Sequence, residues 1–353
     1  MKRILPVVIS AMLLSSCAAY SSDSVVTESK HAYESSTVET TSTYDPFASA
    51  SNESSSTINY SYGIEYQEGE EKVLHYAATI SFQYYVDNQG SDNNFGLLLF
   101  ANGIRQPYRT KEEPQDQTMH IFDVKQNERK VQTIEFEPIV GNNGEELSLE
   151  IVSMVNPRFV SDNNSVYQFN HRIMSPFPSI MQITDTMDKA EPSICSVYDI
   201  TPITEELRKE YNKMDSKGEM SEENSLENTV YFETLKNGIF LSPNDYLAGK
   251  QDVSPFTTED SISVCMYGGS PCIYRVSMFI NHELVPGVFD GADYLDMEVS
   301  GNQICTKTIE LKKISSILQN CNSAYFIAIP FYSNQNYNER MVIKTPSVTV
   351  RVT

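Results

Sequence analysis

The sequence predicts an all-β protein with two tandem antiparallel β-sandwich domains that are related by internal duplication. Two observations support this fold class. Short apolar segments with the two-residue period of β-strands are separated by turn residues. A series of these segments then recurs in the same order later in the chain. The prediction also includes a disordered N-terminal tether and one short helix before the core of the second domain.

The first predicted domain begins at Ile58, where Tyr60, Tyr62, Ile64 and Tyr66 alternate with other residues in the pattern of a half-buried strand. Further predicted strands cover residues 73–82, 96–101, 120–124, 131–136, 147–155 and 180–184. Short strands at this spacing, with turn residues between them, are typical of an immunoglobulin-like sandwich or a barrel. We expect the sandwich.

The segment 96–101 is apolar throughout, which predicts a central strand that is covered on both faces. It ends at Asn102-Gly103, a residue pair that readily adopts the positive φ angles of a tight hairpin turn. This combination marks the centre of the first domain.

The internal repeat has four blocks. Residues 95–103 match residues 274–282 in their apolar pattern, and residues 147–155 correspond to 324–332. At a constant offset of 175, Phe122, Val124, Thr133, Ile134 and Glu135 match Met297, Val299, Thr308, Ile309 and Glu310. The last block pairs residues 170–174 and 178–180 with residues 338–342 and 346–348. At this period each repeat is a whole domain.

These patterns divide the chain into a signal peptide (1–16), a linker (17–57), a first sandwich (58–186) and a second sandwich (187–353). Within the second, residues 187–228 form an elaboration. Its helix is predicted from Ile203, Leu207, Tyr211 and Met214, which lie on one face. The sequence leaves open whether this elaboration packs between the domains.

The first 17 residues have the layout of an export signal. Lys2 and Arg3 precede an apolar run over residues 4–14, and the segment ends in Leu-Ser-Ser-Cys at Cys17. This ending resembles the lipobox of bacterial lipoproteins. The resemblance implies cleavage before Cys17, a diacylglyceryl group on its thiol and a further acyl chain such as palmitate. It thus implies a protein that is exported, lipid-anchored to the bacterial cell membrane and faces outside. The alternatives are a general secretory peptide with a chance Cys and an apolar first element of the fold.

The segment after Cys17 is rich in hydroxyl side chains. Ser and Thr occupy 18 of the 37 positions from Ser21 to Thr57. Such a segment cannot bury enough apolar surface to offset the entropy of ordering it. We therefore expect a flexible spacer between the anchor and the domains.

The net charge of the chain is −21, from 26 Lys and Arg against 47 Asp and Glu. A strongly acidic chain repels phosphate backbones, so nucleic acid is excluded as an expected partner. Anionic lipid headgroups repel it as well, which favours a covalent membrane anchor over an electrostatic one.

No catalytic or cofactor motif was found. The five His show no metal-ligand spacing, and no G-x-S-x-G, P-loop or G-x-G-x-x-G sequence occurs. We therefore predict no enzyme activity, no catalytic residue and no cofactor. Two acidic turns that contain Asp87 and Asp92, and Asp290 and Asp293, are weak candidates for Ca²⁺. Ordinary turns use the same residues.

Five Cys follow Cys17, and all lie in the second half of the chain. An exported protein can form disulfides, and the local pairings are Cys265–Cys272 and Cys305–Cys321, which leaves Cys195 unpaired. Free thiols are an equal alternative at this stage.

Tyr84, Tyr85 and Tyr108 are the candidate ligand surface, because Tyr anchors interfaces at low entropic cost. Alternatively, they simply cover a sandwich. The functional hypothesis is a non-catalytic surface lipoprotein that binds an unknown extracellular protein or glycan. The alternatives are a structural or assembly component of the cell envelope and a polymer hydrolase.

Overall fold

The structure is a computed structural model of the 353-residue chain. It describes residues 59–65, 77–141, 146–161, 167, 170–174, 179–182, 192–203, 238–241, 255–267, 271–300, 303–331 and 342–353. Residues Ser55–Thr353 form one compact unit. The lipobox and the tether lie outside the described residues, as does the predicted helix apart from Ile203.

The first sandwich consists of two sheets that enclose one apolar core. Its strands are β1 (Tyr60–Glu65), β2 (Ile80–Asn88), β3 (Asn93–Ala101), β4 (Ile104–Gln106), β5 (Arg109–Thr110), β6 (Met119–Val124), β7 (Glu128–Phe136), β8 (Glu146–Val155), β9 (Ile173–Met174) and β10 (Ser179–Gln182). The outer sheet has the order β1-β2-β7-β5. The inner sheet has the order β10-β8-β3-β4, with β6 also paired to β3 and β9 paired to β8.

The second sandwich has the same plan. Its strands are β11 (Ile194–Cys195), β12 (Asp199–Pro202), β13 (Gly238–Phe240), β14 (Phe256–Thr257), β15 (Ser261–Tyr267), β16 (Cys272–Ile280), β17 (Glu283–Leu284), β18 (Tyr294–Val299), β19 (Gln303–Glu310), β20 (Cys321–Phe331), β21 (Ile343–Lys344) and β22 (Val348–Arg351). Its inner sheet has the order β11-β18-β16-β20-β22-β14, with β17 paired to β16 and β21 to β20. Its outer sheet has the order β12-β19-β15-β13.

The central strands of the two sandwiches correspond one to one. The path β10-β8-β3-β6 in the first inner sheet has its counterpart in β22-β20-β16-β18, and the outer pair β2-β7 has its counterpart in β15-β19. The second sandwich adds β11 and β14, which pair in parallel with their neighbours. The all-β fold class with a duplicated sandwich is confirmed.

The hairpin turns after β3 and β16 have the same backbone conformation and the same hydrogen bonds. Asn102 and Asn281 have φ angles of 50° and 49°. The backbone N–H of Asn102 donates to the carbonyl of Ser148, and its side-chain oxygen accepts the N–H of Ser148, both at 2.8 Å. Asn281 makes the same two bonds with Ser323, both at 2.9 Å. Asn suits this position because it tolerates the left-handed conformation and carries a short acceptor.

The central strands are buried on both faces, as the apolar run 96–101 predicts. In β3, alternate side chains point into the core of the first sandwich, while Leu98 and Phe100 point to the opposite face. In β16, Phe279 likewise points away from the core of the second sandwich. The two outward faces meet, so the inner sheets pack against each other.

This contact between the inner sheets is apolar. The rings of Phe100 and Phe279, which occupy equivalent positions in the repeat, lie edge to face with centroids 6.1 Å apart. The first sandwich contributes Leu98, Phe100, Met119, Val152 and Met154. The second contributes Phe279, Tyr325, Ile327, Ile329 and Val342. These ten residues are called the interface core below. Full burial of each large side chain contributes about 1.5–3 kcal/mol.

Two local predictions need correction. Strand β2 covers residues 80–88, whereas the sequence pattern placed a strand at 73–82 and a turn from Asp87; residues 73–76 lie outside the described residues. A 3₁₀-helix, Leu311–Ile317, follows β19 and was not predicted. Its Leu311 and Ile314 are buried, because side chains three residues apart share one face of a 3₁₀-helix. Among the described residues, no helix is long and apolar enough to cross a membrane.

Candidate functional site

The predicted ligand surface is wrong for two of its three tyrosines. Tyr84 and Tyr108 are 1% and 0% exposed and lie in the core of the first sandwich. The hydroxyl of Tyr108 donates to the carbonyl of Leu97 at 2.7 Å and accepts the backbone N–H of His120 at 3.1 Å. Tyr108 is therefore a structural residue.

The position of β2 explains the error for Tyr84. Because the strand continues to residue 88, Tyr84 lies on an inward-facing position instead of near a loop. The adjacent Tyr85 has the opposite orientation and is partly exposed. The guanidinium of Arg129 lies 3.9 Å from the centroid of the Tyr85 ring. Of the three predicted tyrosines, only Tyr85 is available to a ligand.

The acidic turns bind cationic side chains of the protein itself. The carboxylate of Asp92 accepts a hydrogen bond from the ammonium of Lys125 at 2.9 Å. The carboxylate of Asp290 accepts one from the ammonium of Lys307 at 2.5 Å. The pKa of Asp92 is lowered mainly by the backbone N–H of Gln126 and then by Lys125. The pKa of Asp290 is lowered by Lys307. Both carboxylates are therefore held in their charged form by neighbouring groups.

The other two candidate calcium ligands are also engaged. A carboxylate oxygen of Asp87 lies 3.9 Å from the Arg129 guanidinium, and Asp293 accepts the backbone N–H of Gly287 at 2.7 Å. In the part of the chain that the structure describes, no group of three or more His, Cys, Asp or Glu is arranged to hold a metal ion.

Cys195, Cys265, Cys305 and Cys321 are free thiols in the structure, so the predicted Cys305–Cys321 pairing is not formed. Cys272 and Cys305 lie in the core of the second sandwich, and the thiol of Cys305 donates to the carbonyl of Glu298 at 3.2 Å. Burial raises the pKa of both Cys265 and Cys305 to about 11. Since thiolates are the reactive form, these two side chains are poor nucleophiles.

A polar cluster that the sequence analysis missed lies beside the interface core. It consists of His171 from the first sandwich and of His282, Tyr325, Lys344 and Ser347 from the second. These five residues are called the basic cluster below. The centroids of the two imidazole rings are 5.0 Å apart, and the rings are 1% and 8% exposed. Two histidines that are 111 positions apart in sequence thus meet in a buried place.

Hydrogen bonds link the basic cluster across both sandwiches. His282 bonds through Nε2 to the carbonyl of Pro157 in the first sandwich at 2.6 Å, and through Nδ1 to the hydroxyl of Tyr325 at 3.0 Å. Because a carbonyl only accepts, Nε2 of His282 carries the proton and Nδ1 accepts. His171 bonds through Nδ1 to Ser347 Oγ at 3.0 Å.

Lys344 completes this network. Its ammonium donates to Ser347 Oγ and to the carbonyl of Thr345, both at 2.9 Å, and lies 4.4 Å from the centroid of the Tyr325 ring. Burial of the amino group lowers the pKa of Lys344 to about 7. A lysine that is not held by a carboxylate loses part of its charge when it is desolvated.

Both histidines are held neutral. Burial is the main cause that lowers the pKa of His171 to about 2, and the neighbouring His282 and Lys344 lower it further. Burial also lowers the pKa of His282 to about 4, with a smaller contribution from Lys344. The cluster thus gathers three groups that repel one another when protonated.

A second polar link between the sandwiches is made by Arg275. The guanidinium of Arg275 binds both carboxylate oxygens of Asp296 at 2.8 Å and also donates to the carbonyl of Asn102 at 2.8 Å. The hairpin residue Gly103 packs on the same Arg275, because a Cβ at Gly103 would lie 3.1 Å from the Arg275 side chain. Arg275 therefore joins the first hairpin to the second sandwich.

One sequence signal pointed to the basic cluster. In the repeat, His282 occupies the position of Gly103, and both have positive φ angles, 71° and 74°. Glycine adopts this conformation freely, whereas a histidine is strained there. A bulky residue at such a position indicates that its side chain is held by specific contacts.

Comparisons with known proteins assign no family. Neither a protein-family model nor a curated protein matches the chain. Among solved structures, a CARDB domain from Pyrococcus furiosus in complex with di-metal ions is 13% identical, with a TM-score of 0.22, and the match covers 36% of this chain and 94% of that one. A bacterial ice-binding adhesin is 10% identical, with a TM-score of 0.18, and the match covers 84% and 66%.

A protein of unknown function from Porphyromonas gingivalis W83 is 9% identical to the chain, with a TM-score of 0.20 and coverage of 79% and 94%. A transglutaminase from red sea bream is 7% identical, with a TM-score of 0.18 and coverage of 83% and 31%. Similarities of this size carry no argument about function, so the functional argument rests on the residues of the chain itself.

Proposed function

We propose that the protein is an exported lipoprotein, anchored through Cys17 to the bacterial cell membrane and facing outside. In this proposal it presents two β-sandwiches as one block that binds an extracellular protein or glycan without catalysis. The leader and Leu-Ser-Ser-Cys ending at Cys17 support the anchor, and two acyl chains give stable membrane attachment. The net charge of −21 supports a partner that is not a nucleic acid.

The interface core supports the proposal that the two sandwiches are presented as one block. Ten apolar side chains and the Arg275–Asn102 bond join the inner sheets. Proteins move as separate domains unless the interface between them is large and apolar. We therefore propose that a ligand meets the outer sheets and the loops, since the inner sheets are covered.

We also propose the domain limits 58–186 and 187–353. Strands β1–β10 fall in the first range and strands β11–β22 in the second. In the same proposal, residues 17–57 act as the spacer that connects the lipid to the block.

Cys17→Ala tests the anchor. We expect the variant to lose labelling by radioactive palmitate and to move from the membrane fraction to the soluble fraction, because the acyl chains supply the attachment. Cys195→Ala is the matched control, since it removes a Cys outside the lipobox and should keep both properties. Membrane attachment of the Cys17→Ala chain without label would overturn the lipid anchor.

A glycan array and a pull-down from extracellular extracts, both with the full chain in detergent, test ligand binding. We expect a ligand in one of the two assays. If the ligand contacts the Tyr85–Arg129 pair, Tyr85→Ala weakens binding. Ile200→Ala is the control, because it removes an exposed apolar side chain of the second sandwich and should leave binding unchanged. Absence of binding in both assays would favour the structural role in the cell envelope.

A further inference from the structure

We propose that the contact between the two sandwiches is acid-sensitive, and that protonation of His171 and His282 in the basic cluster separates the inner sheets. This inference does not depend on the proposed ligand or on the anchor. It rests on the position of the two rings, since each belongs to one sandwich and bonds to the other.

The bonds of the two rings cross the interface in opposite directions. His282, from the second sandwich, donates to Pro157 in the first. Nδ1 of His171, from the first sandwich, is hydrogen-bonded to Ser347 Oγ in the second. Separation of the sandwiches would break the bonds of both rings, and His282 uses a neutral imidazole with an accepting Nδ1.

Protonation gives both rings an N–H on each nitrogen, so Nδ1 can only donate. In His171, Nδ1–H and the ammonium of Lys344 would then both donate to the single oxygen of Ser347. The two positive charges would then be bridged by one hydroxyl group in a buried place. Like charges at this distance repel strongly where the dielectric constant is low. In His282, the hydroxyl of Tyr325 would have to reverse its own donor role.

Among the residues that the structure describes, the groups that face the two rings offer no negative charge to offset this. On the first sandwich, the His171 ring meets the Tyr167 ring at 5.0 Å. On the second, Tyr325 and Lys344 face both rings. The carboxylate of Glu283, the residue after His282, is exposed and interacts with other groups. It lies 3.6 Å from the guanidinium of Arg105 and accepts a hydrogen bond from the hydroxyl of Thr118 at 2.5 Å. Among the described residues, no carboxylate contributes to the pKa of either imidazole.

The sign and window of the effect follow from proton linkage. Unfolded or separated histidines titrate near 6.5, whereas the folded ones titrate at about 2 and about 4. The folded state therefore binds fewer protons below pH 6.5, and its stability falls as the pH decreases from 6.5 towards 4. Lys344 adds little slope below about pH 6, because there it is protonated in both states. Its contribution lies between pH 7 and 10.5.

The test measures urea unfolding of the full chain in detergent, by circular dichroism, at several pH values between 6.5 and 5. A histidine that stays neutral in the folded state raises the unfolding equilibrium constant by up to about tenfold per pH unit below its unfolded pKa of 6.5, and by less near 6.5 itself, so we expect roughly a 200-fold increase for the pair over this range. In the double variant His171→Asn and His282→Asn, this increase should disappear. Asn is chosen because both positions have positive φ, which Asn tolerates.

Phe279→Leu is the matched control. It loosens the interface core without removing a titratable group, so its unfolding should shift to lower urea at every pH while the steep pH dependence remains. Small-angle X-ray scattering then tests the separation itself: the radius of gyration of the wild-type chain should increase at pH 4.5 relative to pH 7, and that of the double variant should not. An equal pH dependence in wild-type and double-variant chains would overturn the proposal, as would an unchanged wild-type radius.

Discussion

The two hairpin turns after β3 and β16 have the same backbone conformation but different surroundings. Asn102 and Asn281 have the same φ angle within one degree and hold the neighbouring Ser through the same two bonds. The next residue differs. Gly103 leaves room for Arg275, whereas His282 fills the space beside Pro157 and binds it.

This comparison shows which part of a duplicated domain is free to change. The hydrogen bonds that close the turn are internal to each sandwich, so both copies need them. The residue that follows faces the other sandwich, and each copy faces a different surface there. The backbone of the repeat is therefore shared, while the chemistry of the contact is divided into an arginine side and a histidine side.

The largest expected effect tests whether Phe100 and Phe279 play equal roles in the interface. Both side chains are 0% exposed, so replacing either by Ala should lower the free energy of unfolding by about 3–5 kcal/mol. Because the rings contact each other, the double variant should lose less than the sum, by about 0.5–1.5 kcal/mol. Urea unfolding of the four chains measures this coupling. Strict additivity would contradict a direct contact between the sandwiches.

A smaller effect tests the equivalence of the turns. Asn102→Ala and Asn281→Ala should each cost about 2–3 kcal/mol, from the left-handed backbone and the lost bond to Ser. Asn→Gly at either position keeps the backbone freedom and loses only the side-chain bond, so it should cost about 1 kcal/mol. Thermal unfolding of the four variants compares both turns. Equal costs for Ala and Gly would mean that the positive φ contributes nothing.

The smallest effect concerns the Cys, which distinguish the second sandwich from the first. Because Cys195, Cys265, Cys305 and Cys321 are free thiols in the structure, all four should react with a thiol reagent after denaturation. In the native protein, Cys265 and Cys305 should react more slowly than the partly exposed Cys195, because their pKa is about 11. Mass spectrometry of the labelled peptides gives both results. A single reactive thiol in denaturant would instead support the pairs Cys265–Cys272 and Cys305–Cys321.

The sequence predicted the features of the fold that depend on local pattern. The Asn102-Gly103 turn, the doubly buried strand at residues 96–101 and the repeat all follow from residue type and spacing. The Tyr84 error followed from a strand boundary, because the polar Asp87 was interpreted as the start of a turn, whereas the strand continues to Asn88. Within that strand, side-chain alternation places Tyr84 inward and Tyr85 outward.

The site could not be predicted in the same way. The apolar run indicated that both faces of β3 are covered. No sequence pattern specified that β16 and β20 cover the face that points away from the first core. His171 and His282 likewise meet only because the inner sheets pack together. Contacts between domains depend on the relative position of two folded surfaces, which local periodicity does not contain.

The meeting of Phe100 with Phe279 has one more consequence. A contact between equivalent residues is the geometry of an isologous interface, in which a surface recognises a copy of itself, as in a two-fold symmetric dimer. Here both copies belong to one polypeptide, so their association is intramolecular. The effective concentration of one partner near the other is then fixed by the connecting chain, of millimolar order for a short flexible connection. The pairing therefore does not weaken on dilution, in contrast to that of a dimer of separate chains.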